Sequence, residues 1–308
     1  MSSDFHIRHV PHKEIDLAKW DNCISTAPNG LIYGYSYYLD HMAKQWDGLV
    51  LNNYEAVMPL IWRKKYEVLY CYQPPFMQQC GWFGSPLTMH TCSILFERIR
   101  SFCRYGDFMF NNHNQLINES YITRPLTNFV LDLSHGYSAI RSRYKTDLLS
   151  NLNKAAKLSL SYQTSVEIDS AINQYRFHYG ARTPHVKQNQ YRHFSKLCKQ
   201  LISVGQCLIR EVSDEQHYPL ASILLLKDEH RIYNMMNTTT EKGKKTAANH
   251  FLIDKVLHEF AGQNLLFDFE GSDLPGVKSF YENFGPVNYP YFHWHYNRLP
   301  FYLKWLKK

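Results

Sequence analysis

An amphipathic helix is predicted over residues 246–260. Its apolar side chains recur at every fourth position and form one face, made of Ala248, Leu252, Val256 and Phe260. Gly262 follows, where a helix commonly ends in the left-handed conformation. A short turn before the helix contains Gly243 and three lysines, Lys242, Lys244 and Lys245. The turn and the helix start therefore combine free backbone N–H groups with positive charge, which suits a phosphate.

A short strand is predicted over residues 265–270, because its side chains alternate between two faces. Leu265, Phe267 and Phe269 lie on one face, whereas Leu266, Asp268 and Glu270 lie on the other. Two carboxylates near the end of a strand can relay a proton from an amine or bind a cationic acceptor. The alternative is structural, with one carboxylate in an ion pair and the other solvated.

The order strand, strand, strand, helix, strand occurs twice along the chain. The first occurrence runs from Gly48 to about residue 111, and the second from Gly205 to about residue 270. The two leading glycines lie 157 residues apart, and Gly106 and Gly262, which precede the fourth strands, lie 156 apart. This constant offset indicates a diverged duplication, in which each copy is an antiparallel meander followed by a crossover helix and another strand.

A helix between the two copies is predicted over residues 137–157. Its apolar stripe consists of Ile140, Tyr144, Leu148, Leu152 and Ala156, with the basic residues mostly off it. We expect the segment 136–158 to connect a first domain, residues 1–135, with a second domain, residues 159–308. Its basic face is either solvated or in contact with an anionic substrate. A further helix is predicted over residues 188–203.

The end of the second copy resembles a GNAT-type N-acyltransferase domain. Residues 280–285, Phe-Tyr-Glu-Asn-Phe-Gly, are similar to that family's "LYEKLGF" helix and put Tyr281 at its tyrosine position. Residues 265–280 and the helix ending at 149–163 resemble the Fem-type branch. Fem-type relatives carry two GNAT-like domains in one chain and include aminoacyl transferases that build peptidoglycan cross-bridges. The resemblance implies an α+β fold of two tandem GNAT-like domains, each a mixed, mostly antiparallel sheet flanked by helices.

The resemblance also implies an activity, N-acyl transfer, and the residues that carry it. The donor is coenzyme A carrying an acyl group (acyl-CoA), or an aminoacyl-tRNA, and the acceptor is an amine on a cell-wall precursor or another small molecule. Tyr281 then protonates the leaving group, while Glu270 and Asp268 are the candidate catalytic carboxylates. The candidate carrier-binding residues lie in the turn and helix start: Gly243, Lys244, Lys245, Thr246, Ala247 and Asn249.

The two copies differ in the loop that precedes the helix. In the first copy, residues 73–87 contain three prolines and no lysine, and proline has no N–H to offer a phosphate. We therefore expect the carrier to bind the second copy, and the loop 73–82 to serve an acceptor or a domain interface. The second copy has only Gly243 where GNAT domains usually have Arg/Gln-x-x-Gly-x-Gly/Ala. A non-catalytic binding module that has lost the reaction is therefore the alternative.

Composition and charge limit the remaining classes. The chain of 308 residues has a net charge of +7, which is compatible with coenzyme A or tRNA but too modest to indicate nucleic acid alone. RNA binding is a third hypothesis, which rests on this charge and on scattered aromatic residues. The longest apolar run is residues 220–226, and no targeting segment is visible, so we expect a cytoplasmic protein without stable membrane insertion. The seven cysteines are scattered, and His293 and His295 lack neighbouring ligands, so no metal is expected.

Overall fold

The computed structural model describes residues 6–115, 124–271 and 273–302. The first part of the chain forms β1 (Ile7–Val10), α1 (Leu17–Thr26), α2 (Ser36–Met42), β2 (Trp46–Leu51), β3 (Ala56–Lys65), β4 (Val68–Cys71), β5 (Phe83–Gly84), α3 (Met89–Phe102), β6 (Tyr105–Phe110) and β7 (Arg124–Leu126). The second part forms β8 (Phe129–Asp132), α4 (Tyr137–Arg141), α5 (Thr146–Ala155), β9 (Ser161–Ser165), α6 (Ile168–Tyr179), α7 (Gln188–Ile202), β10 (Cys207–Ser213), β11 (Pro219–Lys227), β12 (Arg231–Thr239), α8 (Glu241–Lys245), α9 (Ala248–Phe260), β13 (Leu266–Asp268), α10 (Pro275–Glu282) and β14 (Val287–Asn288). The last strand is β15 (Tyr291–Asn297), and short 3-10 helices lie at His12–Glu14, Ile32–Gly34 and Gly180–Arg182.

The chain divides into two compact units. Unit 1 consists of the described residues up to Leu126 together with those from Pro290 onward, and unit 2 runs from Thr127 to Tyr289. This division differs from the expected boundaries in two places. Residues 127–158, expected to end the first domain and to form a connector, belong to unit 2, and the last strand β15 belongs to unit 1. The reason is strand pairing, because β8 pairs with β13 while β15 pairs with β6.

Unit 1 is built on one sheet with the strand order β1-β2-β3-β4-β6-β15-β7, and β5 pairs with β3. Strands β4 and β6 run parallel and pair at a single position, Tyr70 with Tyr105. Farther along the same edge of β6, the loop residue Cys80 takes the place of β4. Its N–H donates to the carbonyl oxygen of Met109 over 2.7 Å, and its own carbonyl accepts from Asn111 over 2.8 Å. The loop between β4 and α3 thus fills the space where these two strands separate.

Unit 2 repeats this plan with the strand order β14-β8-β13-β12-β11-β10-β9. The elements β10, β11, β12, α9 and β13 occur in the same chain order as β2, β3, β4, α3 and β6 of unit 1. This confirms the predicted duplication of strand, strand, strand, helix, strand. Helices α5 and α9 pack on the sheet around a core of buried side chains that includes Leu148, Leu252 and Phe267.

The predicted helix over residues 137–157 is two helices, α4 and α5. The chain breaks between them because the N–H of Lys145 donates to the carbonyl oxygen of Asn283, after α10, over 2.9 Å instead of continuing the helical ladder. The apolar stripe packs into the core of unit 2 and does not form a separate connector. Its last member is Ala155, which is buried, whereas the predicted Ala156 is exposed.

The predicted helix over residues 246–260 begins two residues later, at Ala248. Ala247 separates it from the short helix α8 because its backbone is left-handed, with φ 56° and ψ 26°. The predicted Gly262 stop is confirmed, with φ +84°. The strand predicted over residues 265–270 is shorter, β13, and the helix predicted over residues 188–203 is α7, which ends at Ile202. Among the described residues, no helix has the length and apolar character that crossing a membrane requires.

We predict that Trp294 is essential to the stability of unit 1. Its side chain is 1% exposed within a core that includes Phe96 and Phe110, so Trp294→Ala should lower the free energy of unfolding by about 3–5 kcal/mol. Denaturant unfolding measures this loss. Hydrogen exchange detected by mass spectrometry shows which unit loses protection. Phe301→Ala is the control, because Phe301 is 85% exposed and should change stability by less than about 0.5 kcal/mol. Equal losses from both substitutions would contradict the core role of Trp294, and a loss confined to unit 2 would contradict the assignment of β15 to unit 1.

Candidate functional site

The candidate site lies where two parallel strands of unit 2 separate. Strands β12 and β13 pair only over three residues each, Arg231–Tyr233 with Leu266–Asp268. β13 then ends, whereas β12 continues to Thr239. Beyond Tyr233, β13 therefore no longer covers the side of β12 with which it pairs. In unit 1 the corresponding space is filled by the loop that contains Cys80.

A cavity of about 540 Å³ occupies this opening. Its walls come from α6 and the turn after it, from β12, from α8 and the start of α9, from the loop after β13, and from α10. Of the nine predicted site residues, six line the cavity: Gly243, Lys244, Ala247, Asn249, Glu270 and Tyr281. The other three, Asp268, Lys245 and Thr246, do not. The cavity thus brings together the predicted acid, one predicted carboxylate and part of the predicted carrier site.

Tyr281 has its hydroxyl at the cavity wall formed by β12. The side-chain amide of Asn234 donates from Nδ2 to the Tyr281 oxygen over 3.4 Å, and the tyrosine ring packs on Phe269 with 4.9 Å between centroids. Burial, followed by the charges of Tyr175 and Glu270, raises the pKa of Tyr281 above its ordinary value. The hydroxyl therefore stays protonated at neutral pH, as a proton donor must.

Asp268 holds the loop that carries Glu270. The Asp268 carboxylate accepts from Arg231 over 2.9 Å, from Asn128 Nδ2 over 3.2 Å and from the N–H of Glu270 over 3.0 Å. Burial raises the pKa of Asp268, and the charge of Arg231 opposes that shift. Glu270 itself has a left-handed backbone with φ 56°. Gly271 follows with no room for a Cβ, which would lie 2.2 Å from the carbonyl oxygen of Thr127. Asp268 therefore fixes the position of Glu270 from outside the cavity.

The lysine-rich turn uses most of its own backbone donors. Four of its N–H groups already donate within the turn, those of Gly243, Lys244, Thr246 and Ala247. Gly243 is required by packing, because a Cβ there would lie 2.1 Å from the carbonyl oxygen of Leu220. The prediction that this turn cradles a phosphate with its amides is therefore corrected. The turn packs on β11, and it contributes a side-chain charge, Lys244, to the cavity.

The first turn of α9 supplies the backbone donors that the lysine-rich turn lacks. Phe251 is the first residue of α9 whose N–H reaches back to Ala247, over 3.1 Å. The amides of Ala248, Asn249 and His250 precede it and have no acceptor within the helix, as at any helix start. Both Asn249 and His250 line the cavity. An anion in the cavity therefore meets the positive end of a 13-residue helix.

Several side chains in the cavity were not predicted from the sequence, which indicated β12 only as a source of backbone donors near residues 235–237. They are Tyr175, Tyr179 and Arg182 from α6 and the turn after it, Asn234 and Asn237 from β12, and His250 from α9. The Arg182 guanidinium lies over the Tyr179 ring, 5.1 Å from its centroid, and His250 meets Phe280 edge to face at 4.9 Å. No periodic pattern marks these residues, although His250 directly follows the predicted Asn249.

The described residues contain no group of three or more His, Cys, Asp and Glu side chains that could hold a metal ion. Of the two histidines on β15, His293 forms a hydrogen bond between its Nε2 and Asp107 Oδ1 over 2.7 Å. His295 instead packs edge-on against Tyr105, with 5.1 Å between ring centroids.

Comparison with known proteins identifies the fold. No protein-family model and no curated protein matches the chain in sequence. FemX aligns with a TM-score of 0.65 over 95% of this chain and 98% of its own, at 11% identity. A tandem GNAT protein from the clavulanic acid biosynthesis pathway aligns with a TM-score of 0.51 over 96% of this chain and 99% of its own, at 10% identity. The C-terminal domain of a putative lysylphosphatidylglycerol synthetase from Agrobacterium fabrum gives a TM-score of 0.53, at 10% identity over 92% of each chain. The predicted fold, two tandem GNAT-like domains of the Fem type, is confirmed.

We predict that His250 makes stability depend on pH. Burial lowers the pKa of His250 in the folded chain below its ordinary value near 6.5. At a pH between the lowered pKa of the folded chain and the ordinary pKa of the unfolded chain, the unfolded chain therefore binds more protons. The contribution of His250 to the free energy of unfolding is fully present above about pH 6.5. It is lost as the pH falls from there through the lowered pKa of the folded chain. His250→Gln should therefore flatten the stability curve between about pH 5 and pH 7. Denaturant unfolding at each pH measures the effect.

The matched control is His258→Gln, because His258 lies on the same helix but is exposed and packs on Tyr137 at 4.2 Å. This substitution measures what loss of an exposed histidine on the same helix does to the stability curve, and the change at His250 should be the larger one. Parallel curves for both substitutions would show that the His250 imidazole is not held in its neutral form by the cavity.

Proposed function

We propose that this chain, with its tandem GNAT fold, is an N-acyltransferase whose reaction takes place in the cavity of unit 2. The observation that supports this most is the joint presence of Tyr281, Glu270 and the first turn of α9 in one cavity, at the point where β12 and β13 separate. Such a cavity can hold the phosphate of a carrier at one end and a reactive carbonyl beside a proton donor at the other.

The carrier is coenzyme A bearing an acyl group, or a tRNA bearing an aminoacyl group. Its phosphates would lie against the first-turn amides of α9, with Lys244 and Arg182 as the cations that line the cavity. Lys244 pairs with Glu241 over 2.5 Å, and both side chains are well exposed. Because an exposed pair contributes little stability, a phosphate can take over Lys244 at low cost. Thr246 and Ala247 shape the approach to this helix start, and Lys245 adds positive charge nearby.

The chemistry follows from the groups in the cavity. The nitrogen of the acceptor amine attacks the carbonyl carbon, a C–N bond forms, and the C–S bond of a thioester or the C–O bond of an ester breaks. Glu270 accepts the proton that the amine loses, and Tyr281 gives its proton to the departing sulfur or oxygen. Transfer of the proton from Glu270 to Tyr281 through water restores both groups. Asp268, with Arg231, holds Glu270 in place for this relay.

The acceptor in this proposal is an amine on a small molecule or a cell-wall precursor, and the setting is the cytoplasm. A non-catalytic binding module is the second candidate, because the turn before α9 lacks further glycines and uses its own amides. The two candidates differ in one measurement. A binding module retains the carrier but forms no amide product with any member of a panel of primary amines.

We predict that Lys244 binds the carrier phosphate and that Lys245 does not. Both lysines lie in α8, but Lys244 lines the cavity and Lys245 does not, so they form a matched pair. Lys244→Ala should weaken binding of coenzyme A by about tenfold, whereas Lys245→Ala should leave it within about twofold. Isothermal titration calorimetry at physiological salt measures both, and a parallel titration with charged tRNA identifies the carrier. If neither carrier binds the unsubstituted chain, the assignment of the donor fails.

We predict that Tyr281 is the acid that protonates the leaving group. Tyr281→Phe keeps the ring on Phe269 but removes the proton, so turnover should slow by about 10²-fold or more while carrier affinity changes little. Release of thiol from acyl-CoA in the presence of primary amines, or of deacylated tRNA, measures turnover. Tyr218→Phe is the control, since Tyr218 belongs to unit 2 but lies outside the cavity. An unchanged rate in Tyr281→Phe would remove the acid role.

A further inference from the structure

The outer strand of the unit 2 sheet, β9, has an edge to which no strand of the described chain is bound. β9 (Ser161–Ser165) pairs with β10 along its full length and stands last in the strand order of the sheet. Among the described elements, only β10 packs extensively against it. Ser161, Gln163 and Thr164 are exposed to solvent. The backbone N–H and C=O groups of β9 that point away from β10 are therefore available to another strand.

The other three edge strands of the two described sheets have features that discourage such pairing. β1 carries Arg8, β7 carries Arg124 and Pro125, and β14 is two residues long. Charged side chains, proline and short length are the usual means by which an edge strand avoids pairing with another chain. β9 reads Ser-Tyr-Gln-Thr-Ser and has neither a charge nor a proline over its five residues. It is therefore the edge best suited to accept a further strand.

The sequence of β9 is complementary to itself. When two copies pair antiparallel about Gln163, this residue lies opposite its own counterpart. Ser161 of one copy then lies opposite Ser165 of the other. Tyr162 lies opposite Thr164, which gives an aromatic and a β-branched side chain on the same face, a favourable cross-strand pair. One two-fold axis through Gln163 thus satisfies the edges of both copies at once.

The segments on either side of β9 are complementary as well. Lys154 and Lys157 are exposed before the strand, and Glu167 is exposed after it. In an antiparallel pair, the segment before the strand in one copy lies beside the segment after it in the other, so opposite charges meet at both ends. The same segments contain Leu158 and Val166, which are 40% and 67% exposed. Contact between the copies would remove part of this apolar surface from water.

We propose that two copies of this chain form a dimer in which their β9 strands pair antiparallel about Gln163 and join the two unit 2 sheets into one. This inference is independent of the reaction proposed for the cavity. Each copy uses its β9 edge for the contact, so the assembly closes at two chains and does not extend into a fibre. Because the contact is small, its dissociation constant should be on the order of 10 µM.

The mass of the protein as a function of concentration tests the proposal. One chain has a mass of 36.5 kDa, and sedimentation velocity between about 1 and 100 µM should show a shift to twice that mass. Hydrogen exchange at both ends of this range locates the contact. Residues 161–165 should become more protected at the high concentration, because their outward N–H groups gain acceptors, whereas the edge strand β1 should not change.

A pair of charge variants tests the two-fold axis. Gln163→Glu should weaken the dimer about tenfold or more, because two carboxylates then lie opposite each other, with Glu211 beside each of them on β10. Addition of Gln163→Lys to Gln163→Glu should restore a dimer of one copy of each, since an ammonium then faces a carboxylate. Labelling one variant with nitrogen-15 identifies this mixed dimer by native mass spectrometry. Gln263→Glu is the control, because Gln263 is exposed beside β13, away from β9 in the strand order, and it should dimerise as the unsubstituted chain does.

Four results would overturn the proposal. The mass of one chain at every concentration would reject a second copy as the occupant of this edge, and a mass that keeps rising beyond two chains would reject a closed pair. A folded Gln163→Glu variant that dimerises as the unsubstituted chain does would locate the contact elsewhere. Failure of Gln163→Lys to restore the dimer would show that residue 163 does not face its own counterpart. Thermal unfolding of each variant establishes that it is folded.

Discussion

The buried ion pair between Arg231 and Asp268 determines where the sheet of unit 2 opens. Arg231 begins the parallel ladder on β12, and Asp268 ends it on β13, with 2.9 Å between their charged atoms. Because Asp268 also accepts the N–H of Glu270, the chain leaves the sheet at a fixed point and turns into a left-handed conformation. Removing either partner would leave a buried charge unpaired, which costs more than an exposed pair could contribute. The cavity and the position of Glu270 both depend on this point.

The two copies of the fold show how one opening can be kept or closed. In unit 1, β4 and β6 also part after a short parallel contact, but the loop after β4 returns and Cys80 completes the edge of β6. In unit 2, the residues after β12 instead form α8, a left-handed residue and α9, which line a cavity beside β12. The same strand order therefore gives a filled space in one copy and a cavity in the other. The difference comes from the loop between the third strand and the helix.

The lysine-rich turn and the helix after it have separate roles. The turn is tied to β11 by the close approach of Gly243 to Leu220 and by the N–H of Thr240, which donates to the carbonyl oxygen of Leu220. Its own amides are occupied, because the side chain of Thr240 accepts the N–H of Gly243 and other amides donate within the turn. The helix begins only after Ala247, and two residues of its first turn, Asn249 and His250, line the cavity. A phosphate would thus be held by a helix dipole and by two side-chain charges rather than by a glycine-rich loop. Phosphate binding at this helix start, as proposed above, would not need the glycines that are usual in GNAT domains.

The sequence by itself determined the order of elements, the duplication, the Gly262 stop and the tandem GNAT fold. The positions of the helices and strands follow from the local periodicity of apolar side chains, and the fold follows from the order of the motifs along the chain. Neither requires contacts between distant segments. The sequence also led to Tyr281 and Glu270, because a strand-end carboxylate and a helix tyrosine follow each other closely along the chain. Strand alternation put Asp268 on the same predicted face as Glu270. In the structure, however, Asp268 has a structural role, because the side chains of Arg231 and Asn128, which are distant in sequence, donate hydrogen bonds to it.

Only the tertiary structure decided which residues share the cavity. Asn234 and Asn237 face it because the register of β12 slips against β11, and a register cannot be derived from one strand. His250 and Arg182 reach it from helices whose placement depends on packing across the sheet. The division into units likewise depends on β8 and β15, which pair with strands far from them in sequence. Contacts between distant segments set all of these features, and a local pattern of side chains does not contain them.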